Sequence, residues 1–339
     1  MLNKCPIKIS MIGHVDTGKS TTLGNILYLT NNISNHEMEK TKKEADNNGK
    51  KKFCYAYLLD TDNEERTRGI TQSHNIINFN YQNQTYQLID TPGHKLYIRE
   101  MIDVLCNNND TIICIVVSCI ENEFNASMLG GSTKEDLLLA RGCNIKNIIV
   151  LINKIDLLEE DKILESYNKV KNKLEPFISK LGFKNINYLP ISGYEGWNLV
   201  TSNKKINNLI KPKFSTLFDI INNYNLENIS KQIENIPERK QKKKIKVQFN
   251  VLNIEKIITI GNIFNLHIVD SYKNEDNEIN GELLLINTLD NKKKLFINNG
   301  DKLYIGIELS KEIYVYNNQR IIFRNNFSTI GFGKIIISN

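Results

Sequence analysis

The sequence lacks the features that mark membrane-spanning or disulfide-stabilised proteins. Among its 339 residues, no apolar run approaches the roughly 18 residues that a transmembrane helix needs, so we expect no membrane segment. Its six cysteines form no C-x-x-C pair and no metal-ligand spacing. All six lie in the first half of the chain, which is typical of reduced thiols. These absences predict a cytoplasmic protein, and no internal repeat indicates a solenoid or propeller.

The net charge and the length of the chain place only weak limits on its partners and its number of domains. The net charge of +6 and the isoelectric point near 8.8 permit an RNA or ribosome partner without requiring one. The length predicts two or three domains, with enough chain for a substantial core.

A phosphate-binding loop of the form G-x-x-x-x-G-K-S/T lies close to the start of the chain. An apolar, strand-like run (7–12) precedes it and a helical pattern (19–29) follows it, which is the context that gives the motif meaning. Its backbone N–H groups and the helix N-terminus would hold GTP phosphates, Lys19 would bridge the β- and γ-phosphates, and Ser20 would hold Mg²⁺. Because the loop begins this early, we expect no removable signal peptide. The residues predicted to bind here are Gly13, His14, Val15, Asp16, Thr17, Gly18, Lys19, Ser20 and Thr21.

Two further segments match the parts of a GTPase that respond to the γ-phosphate. Residues 65–71 (ERTRGIT) precede a strand-like stretch, and Thr71 would contact Mg²⁺ and the γ-phosphate. Residues 90–94 (DTPGH) follow an apolar run, so that Asp90 would bind a water of the Mg²⁺ shell and the Gly93 amide would face the γ-phosphate. We interpret Arg66 and Arg68 as surface charges rather than as an internal arginine finger.

Two more segments match the parts that recognise a guanine base. In residues 153–156 (NKID) we predict that Asn153, Lys154 and Asp156 bind the nucleotide, with Asp156 accepting hydrogen bonds from the guanine N1–H and 2-amino groups. Residues 192–194 (Ser192, Gly193 and Tyr194) would close over the base and donate a backbone N–H to its O6 atom. Each motif recurs by chance, but five in this order predict a guanine-nucleotide-binding domain with GTP and Mg²⁺ as ligands.

The pattern along the chain predicts an α/β protein in three parts. Residues 1–226 alternate strand-like and helical segments, which is typical of a mostly parallel sheet covered by helices. Residues 227–246 are rich in lysine and contain a proline, which favours a solvated basic linker. Residues 247–339 carry short strand signals and predict one closed β-barrel.

The motifs in residues 13–21, 64–71 and 90–94 together resemble the translational GTPases of the elongation factor 1-alpha superfamily. Residues 192–198 and the insert at 121–142 resemble its eukaryotic branch. Residues 62–66 and 133–140 are most similar to the Hbs-type ribosome-rescue GTPase, which partners Pelota, although the family usually has a histidine where Asp136 stands.

The resemblance extends to the last part of the chain. The family carries two barrels after the nucleotide domain, and residues 250–261 and 329–335 are similar to its last one. The chain has room for one barrel, so we expect the middle barrel to be missing, with one diverged barrel as the alternative.

The resemblance also implies a mechanism and partners. His94 would orient the water that attacks GTP, acting only when ribosomal RNA holds it in place. The implied partners are the ribosome, its RNA, and a Pelota-like or release-factor-like protein that binds a monomer of this chain. The alternatives are the eukaryotic release-factor GTPase, elongation factor 1-alpha delivering aminoacyl-tRNA, the GTPase subunit of sulfate adenylyltransferase, and a GTP-binding scaffold that does not hydrolyse.

Overall fold

The chain divides into two compact units in a computed structural model. The first comprises residues 1–104, 110–137 and 145–232, and the second comprises residues 105–109, 138–144 and 233–339. The structure describes the following residues: 6–49, 51–59, 75–91, 105, 111–129, 132–143, 145, 148–183, 186–228, 238–252, 254, 256–269, 278–325 and 328–337.

A six-stranded sheet forms the centre of the first unit. Its spatial order is β2-β3-β1-β4-β5-β6, and every neighbouring pair is parallel except the antiparallel β2–β3 hairpin. All residues of β4 and β5 are buried, because helices cover both faces of a parallel sheet and its inner strands become continuous apolar runs. The strands are β1 (Ile7–Ile12), β2 (Asn75–Tyr81), β3 (Gln84–Asp90), β4 (Ile112–Ser118), β5 (Ile148–Asn153) and β6 (Asn187–Pro190).

Helices connect these strands. The first follows the predicted phosphate loop directly and buries Leu23, Ile26 and Leu27 against the sheet. The helices are α1 (Lys19–Leu29), α2 (Asn35–Asn47), α3 (Glu121–Leu129), α4 (Thr133–Gly142), α5 (Glu160–Lys180), α6 (Lys204–Ile210) and α7 (Leu217–Asn228), with short 3₁₀ turns at Lys51–Phe53, Ala56–Leu58 and Ile155–Leu157.

The second unit contains a closed six-stranded barrel. Its strands follow the order β10-β12-β7-β14-β13-β9, each pair antiparallel, and a small β8–β11 pair accompanies it. Phe249 and Phe323 meet in its core with ring centroids 4.3 Å apart. The strands are β7 (Lys240–Val251), β8 (Ile258–Thr259), β9 (Ile263–Ile268), β10 (Glu278–Thr288), β11 (Phe296–Ile297), β12 (Lys302–Val315), β13 (Arg320–Arg324) and β14 (Thr329–Ile336). The predicted fold class, a mostly parallel sheet followed by one barrel, is confirmed.

The structure of the lysine-rich run differs from the predicted linker. The interpretation of residues 240–246 as linker is wrong, because β7 begins at Lys240 and pairs with β12 from there onward. Ile245 and Val247 are buried inside the barrel, while the intervening Lys246 is exposed. A strand needs an apolar residue only at every second position, so lysines on the solvent face are compatible with it.

Residues 229–239 alone separate α7 from β7, and this stretch has no room for a further barrel. Residues 229–237 lie outside the described part of the chain, as does most of a helix predicted at residues 96–105. Within the residues that the structure describes, no helix combines the length and apolarity needed to cross a membrane.

Candidate nucleotide site

The predicted site residues that the structure describes lie at one edge of the sheet in the first unit. The phosphate loop connects β1 to α1, Asp90 and Asn153 end β3 and β5, and residues 192–194 follow β6. Because these strands are parallel, their carboxyl ends meet at the same edge, where open α/β sheets bind ligands. The sheet therefore brings together the described residues of four of the five motifs, including Asp90 from the motif at 90–94.

The phosphate loop adopts a backbone path that requires its glycines. Gly13 and Gly18 have φ angles of 140° and 93°. A Cβ atom on Gly13 would lie 2.4 Å from the Val116 carbonyl oxygen, and one on Gly18 would lie 2.4 Å from Asn153 Nδ2. Side chains are thus excluded at both positions by conformation and by space.

The loop ends at the N-terminus of α1, which is suited to an anion. The first N–H groups of a helix have no partner within the helix and carry partial positive charge. The first turn of α1 contains no acidic residue that would neutralise this charge. Residues 19–21 therefore present backbone donors where the sequence predicts phosphates.

Lys19 is folded into the loop. Its Nζ atom donates to the carbonyl oxygens of Gly13 and His14, each at 2.9 Å, and the residue is 7% exposed. Burial lowers the pKa of Lys19, while the neighbouring carboxyl groups of Asp90, Asp136 and Asp16 act to raise it. The amine is thus buried and interacts with three carboxyl groups.

The donors predicted for Mg²⁺ have suitable chemistry. Asp90 is 1% exposed at the end of β3, and its register partner on β1 is Met11. Ser20 occupies the first turn of α1. A carboxylate and a hydroxyl are hard oxygen ligands of the kind that Mg²⁺ prefers, so the residues fit the predicted ion.

Asn153 links the phosphate loop to the segment after β6. Its Nδ2 atom donates to the Thr17 carbonyl oxygen at 2.8 Å, and its Oδ1 atom accepts from the Gly193 and Lys154 N–H groups at 2.8 and 2.7 Å. The side chain is 3% exposed. One amide therefore fixes three backbone segments of the site.

The predicted base-binding residues border this link. Asp156 lies in the 3₁₀ turn Ile155–Leu157 and is partly exposed. Lys154 precedes it with a φ of 68° and forms a 2.7 Å ion pair with Glu123. Tyr194 is 38% exposed, and its ring packs edge to face against Tyr55. Asp156 thus has an accessible carboxylate beside the loop that Asn153 orients.

Three residues that the sequence motifs did not select also build this site. Buried Asn25 of α1 donates from Nδ2 to the Gly193 and Tyr194 carbonyl oxygens, each at 2.8 Å, and Tyr55 supports Tyr194. Asp136 of α4 is buried, and its carboxyl group interacts electrostatically with Lys19. The available signal for Asn25 was a polar residue within the apolar stripe of a helix.

Thr71, Gly93 and His94 lie outside the described residues, as do Arg66 and Arg68. Their roles remain predictions.

Comparison with known proteins identifies the nucleotide domain. The family model of the elongation factor Tu GTP-binding domain matches residues 4–238. The chain is 32% identical over 259 residues to elongation factor 1-alpha 2 of Euplotes crassus, covering 76% of this chain and 55% of that protein. It is 36% identical over 198 residues to the elongation factor 1 alpha-like protein of Schizosaccharomyces pombe, covering 57% and 33%. The chain thus spans about half the length, or less, of these relatives.

A solved structure shares the fold of the chain. The crystal structure of the Saccharomyces cerevisiae Ski7 GTPase-like domain bound to GTP aligns with a TM-score of 0.76 at 16% identity, covering 98% of each chain. The GTP-binding domain predicted from the motifs is confirmed by the family match.

Proposed function

Because the chain belongs to the family of the elongation factor Tu GTP-binding domain, we propose that it is a translational GTPase that hydrolyses GTP to GDP and phosphate on the ribosome. The observation that carries the proposal is the link made by Asn153, which joins the phosphate loop at Thr17 to Gly193 of the base-binding segment. A site for phosphates and a site for the base are thereby held in one arrangement.

Phosphate binding falls to the loop. The backbone N–H groups of residues 13–21 hold the phosphate oxygens, and Lys19 moves its donated hydrogen bonds from the loop carbonyls to the β- and γ-phosphates. Ser20 and Asp90 would hold Mg²⁺ together with Thr71, and the ion would supply positive charge to the phosphates.

Guanine selectivity falls to Asp156 and residues 192–194. The Asp156 carboxylate accepts hydrogen bonds from N1–H and the 2-amino group, which adenine does not offer in that arrangement. The backbone of Ser192, Gly193 and Tyr194 closes over the base and donates to O6. The hydrogen bonds from Asn25 and Asn153 to Gly193 hold this segment against α1 and β5.

Hydrolysis consists of positioning and charge stabilisation. His94 orients the attacking water once ribosomal RNA holds its side chain in place. Loss of the γ-phosphate releases the segments that carry Thr71 and Gly93, and this change of order alters the surface seen by a partner.

The proposed role is ribosome rescue in the cytoplasm, with the chain acting as a monomer. The partner is a tRNA-shaped protein of the Pelota kind, with a release-factor-like protein as the second candidate. The proposal is supported by residues 229–239, which leave no space for a middle barrel. In the resembled family, that barrel helps elongation factors to hold the aminoacyl end of tRNA.

Calorimetry separates these roles. The protein loaded with a GTP analogue or with GDP is titrated with Pelota, with the stop-codon-reading release factor and with aminoacyl-tRNA. We expect Pelota to bind most tightly and only in the GTP-analogue state. Tight, GTP-dependent binding of aminoacyl-tRNA with no binding of either protein would instead assign the chain to elongation.

A further inference from the structure

A groove crosses the outer surface of the barrel in the second unit. Its volume is about 370 Å³, and residues of β7, β10, β12 and β14 line it, together with Ile337 just after β14. A volume of this size is sufficient for a small ligand or for the anchoring side chains of a peptide. Every residue that lines the groove belongs to the second unit.

The floor of the groove follows from the register of the four strands. Gly306 of β12 is the register partner of Leu285 on β10 and of Lys246 on β7. Lys246 is in turn the partner of Ile336 on β14. A Cβ atom on Gly306 would lie only 3.1 Å from Leu285 Cβ. The glycine thus leaves a depression in a row of outward-facing side chains, and Leu285 borders it.

The sides of the groove are apolar and remain accessible. On β10 the register shifts between Leu283 and Leu285, and this irregularity leaves both Leu284 and Leu285 partly exposed. A regular strand would turn one of two consecutive residues into the barrel. Ile336 and Ile337 supply partly exposed apolar surface from the other side. A ligand could therefore remove apolar area from water here.

Lysines of β7 give the groove its charge. Lys242, Lys244 and Lys246 are exposed and line it. The Lys244 Nζ atom lies 3.4 Å from a carboxylate oxygen of Glu308, which also faces Lys243 Nζ at 3.6 Å. One carboxylate is thus shared between two ammonium groups. Among the described residues that line the groove, none is acidic, so its rim favours an anionic ligand.

The combination of charge and apolar surface distinguishes between two kinds of anionic ligand. Proteins bind single-stranded nucleic acids by pairing lysines with phosphates and by stacking bases on aromatic rings. No aromatic residue is among the described residues that line this groove, and the ring of Tyr304 already has Lys246 Nζ 4.6 Å from its centroid. Aliphatic walls instead suit the apolar side chains of a peptide. The groove therefore favours a peptide over an RNA strand.

We propose that the groove is a docking site for an acidic segment of a partner protein. One or two apolar side chains of that segment occupy the depression at Gly306, and carboxylates on either side of them face the three lysines of β7. The aliphatic stems of these lysines extend the apolar floor while their ammonium groups stay in water. Charge complementarity orients the segment. The proposal does not rest on the proposed GTPase activity.

The test measures binding of short labelled peptides to the full chain by fluorescence anisotropy at low salt. Each peptide has two central apolar residues, either leucine, isoleucine, valine or phenylalanine, flanked on each side by three glutamates. A peptide with two central serines has the same charge without the apolar side chains. Labelled oligouridylate of the same length represents RNA.

We expect at least one of the apolar-centred peptides to bind about tenfold more tightly than the serine-centred peptide, because it buries apolar area in the groove. Replacing the three groove lysines together by glutamine should weaken that binding about tenfold or more. The matched control replaces three exposed lysines of the same unit that lie outside the groove and should change the affinity about twofold or less. Its substitutions are Lys256→Gln, Lys292→Gln and Lys293→Gln.

Ile336→Thr tests the apolar part separately. It keeps a β-branched residue on β14, as strands prefer, but it reduces the apolar wall. The ratio of affinities for the apolar-centred and serine-centred peptides should fall about threefold or more, while the affinity for the serine-centred peptide stays unchanged.

Four results would overturn the proposal. They are equal affinity for apolar-centred and serine-centred peptides, equal losses in the two triple-glutamine proteins, tighter binding of oligouridylate than of every peptide, and an unchanged ratio in Ile336→Thr. Self-association of the free chain that Ile336→Thr abolishes would assign the groove to a second copy of this chain instead.

Discussion

Replacing Asn153 by alanine should damage the site more than any loss of surface charge would. The substitution removes three hydrogen bonds, to the Thr17 carbonyl and to the Gly193 and Lys154 N–H groups. The bonds to Thr17 and Gly193 are buried, so their backbone partners would be left without water to replace the amide. The third, to Lys154, is only partly buried.

The expected cost follows from the two buried backbone groups. An unsatisfied buried donor or acceptor costs about 1–3 kcal/mol. We therefore expect Asn153→Ala to lower the free energy of unfolding of the first unit by about 2–6 kcal/mol, the upper end being reached if no water enters the vacated space. This is a large share of the roughly 5–15 kcal/mol that stabilises a typical domain.

Denaturant unfolding followed by tryptophan fluorescence measures this loss. The only tryptophan of the chain, Trp197, lies in the first unit and bridges to Ser192, so it reports on this unit. Asn78→Ala is the matched control, since that asparagine is exposed on β2 and its Oδ1 accepts a solvent-exposed hydrogen bond from Gln87 Nε2. It should change stability by about 0.5 kcal/mol or less.

Asn153→Asp refines the test. The carboxylate still accepts from Gly193 and Lys154, but it repels the Thr17 carbonyl oxygen, to which Asn153 Nδ2 donates at 2.8 Å. The free energy of unfolding of Asn153→Asp should therefore lie between those of Asn153→Ala and Asn78→Ala. A loss for Asn153→Ala no larger than that for Asn78→Ala would refute the reasoning.

Three further substitutions test the proposed roles one by one. Lys19→Ala should lower GTP affinity by orders of magnitude in a titration with labelled nucleotide, since the phosphates lose the buried cation of the loop; near-wild-type affinity would exclude the phosphate-loop assignment. Asp156→Asn should favour xanthine over guanine nucleotides in a competition assay, because a polar site rejects a mismatched partner strongly; a retained preference for GTP would contradict the base assignment. His94→Ala should bind GTP normally yet lose most ribosome-stimulated hydrolysis, because water positioning matters only in the transition state; normal turnover on ribosomes would exclude this histidine.

Elements with strong local signals could be predicted from the sequence. β1 and α1 have the predicted bounds, 7–12 and 19–29, because apolar spacing and flanking polar residues mark both ends. The order of the motifs was sufficient to predict the sheet that carries them.

Helix α2 shows why other elements could not be predicted. The stretch from 31 to 50 looks like a polar insert, yet residues 35–47 form a helix that buries Met38, Thr41 and Ala45. Ser34 caps this helix by accepting the Glu37 N–H at 3.2 Å. So few buried residues stabilise a helix only when a cluster containing Cys54 and Tyr57 packs against them. That contact forms on folding, so the local sequence does not reveal it.

The site residues also fall into two groups, those that a sequence motif contains and those that only the fold brings to the site. Glycines with positive φ, a lysine and a carboxylate are required by local chemistry, so a motif contains them. Asn25 donates to a backbone carbonyl oxygen far away in the sequence, and Asp136 interacts with Lys19, which is also distant in the sequence. Polar residue types of this kind recur in many helices. Their roles follow only from which groups the fold places beside them.

The phosphate loop is held in shape from two sides before any phosphate arrives. Asn153 of β5 holds the Thr17 carbonyl, and Lys19 of α1 holds the Gly13 and His14 carbonyls. Shape and charge can therefore be perturbed separately in part. Asn153→Ala disturbs the loop while leaving Lys19, and Lys19→Ala removes the amine while leaving the contact between Asn153 and Thr17.

The two substitutions are nevertheless not independent, because Lys19 contributes to both the shape and the charge of the loop. Lys19 donates to the Gly13 and His14 carbonyls, so it contributes to the loop's shape in the free state as well as to its charge. Independent sites give additive free energies, whereas residues in one network do not. The double variant should lose less stability than the two single losses added together, because each substitution already loosens the loop that the other supports.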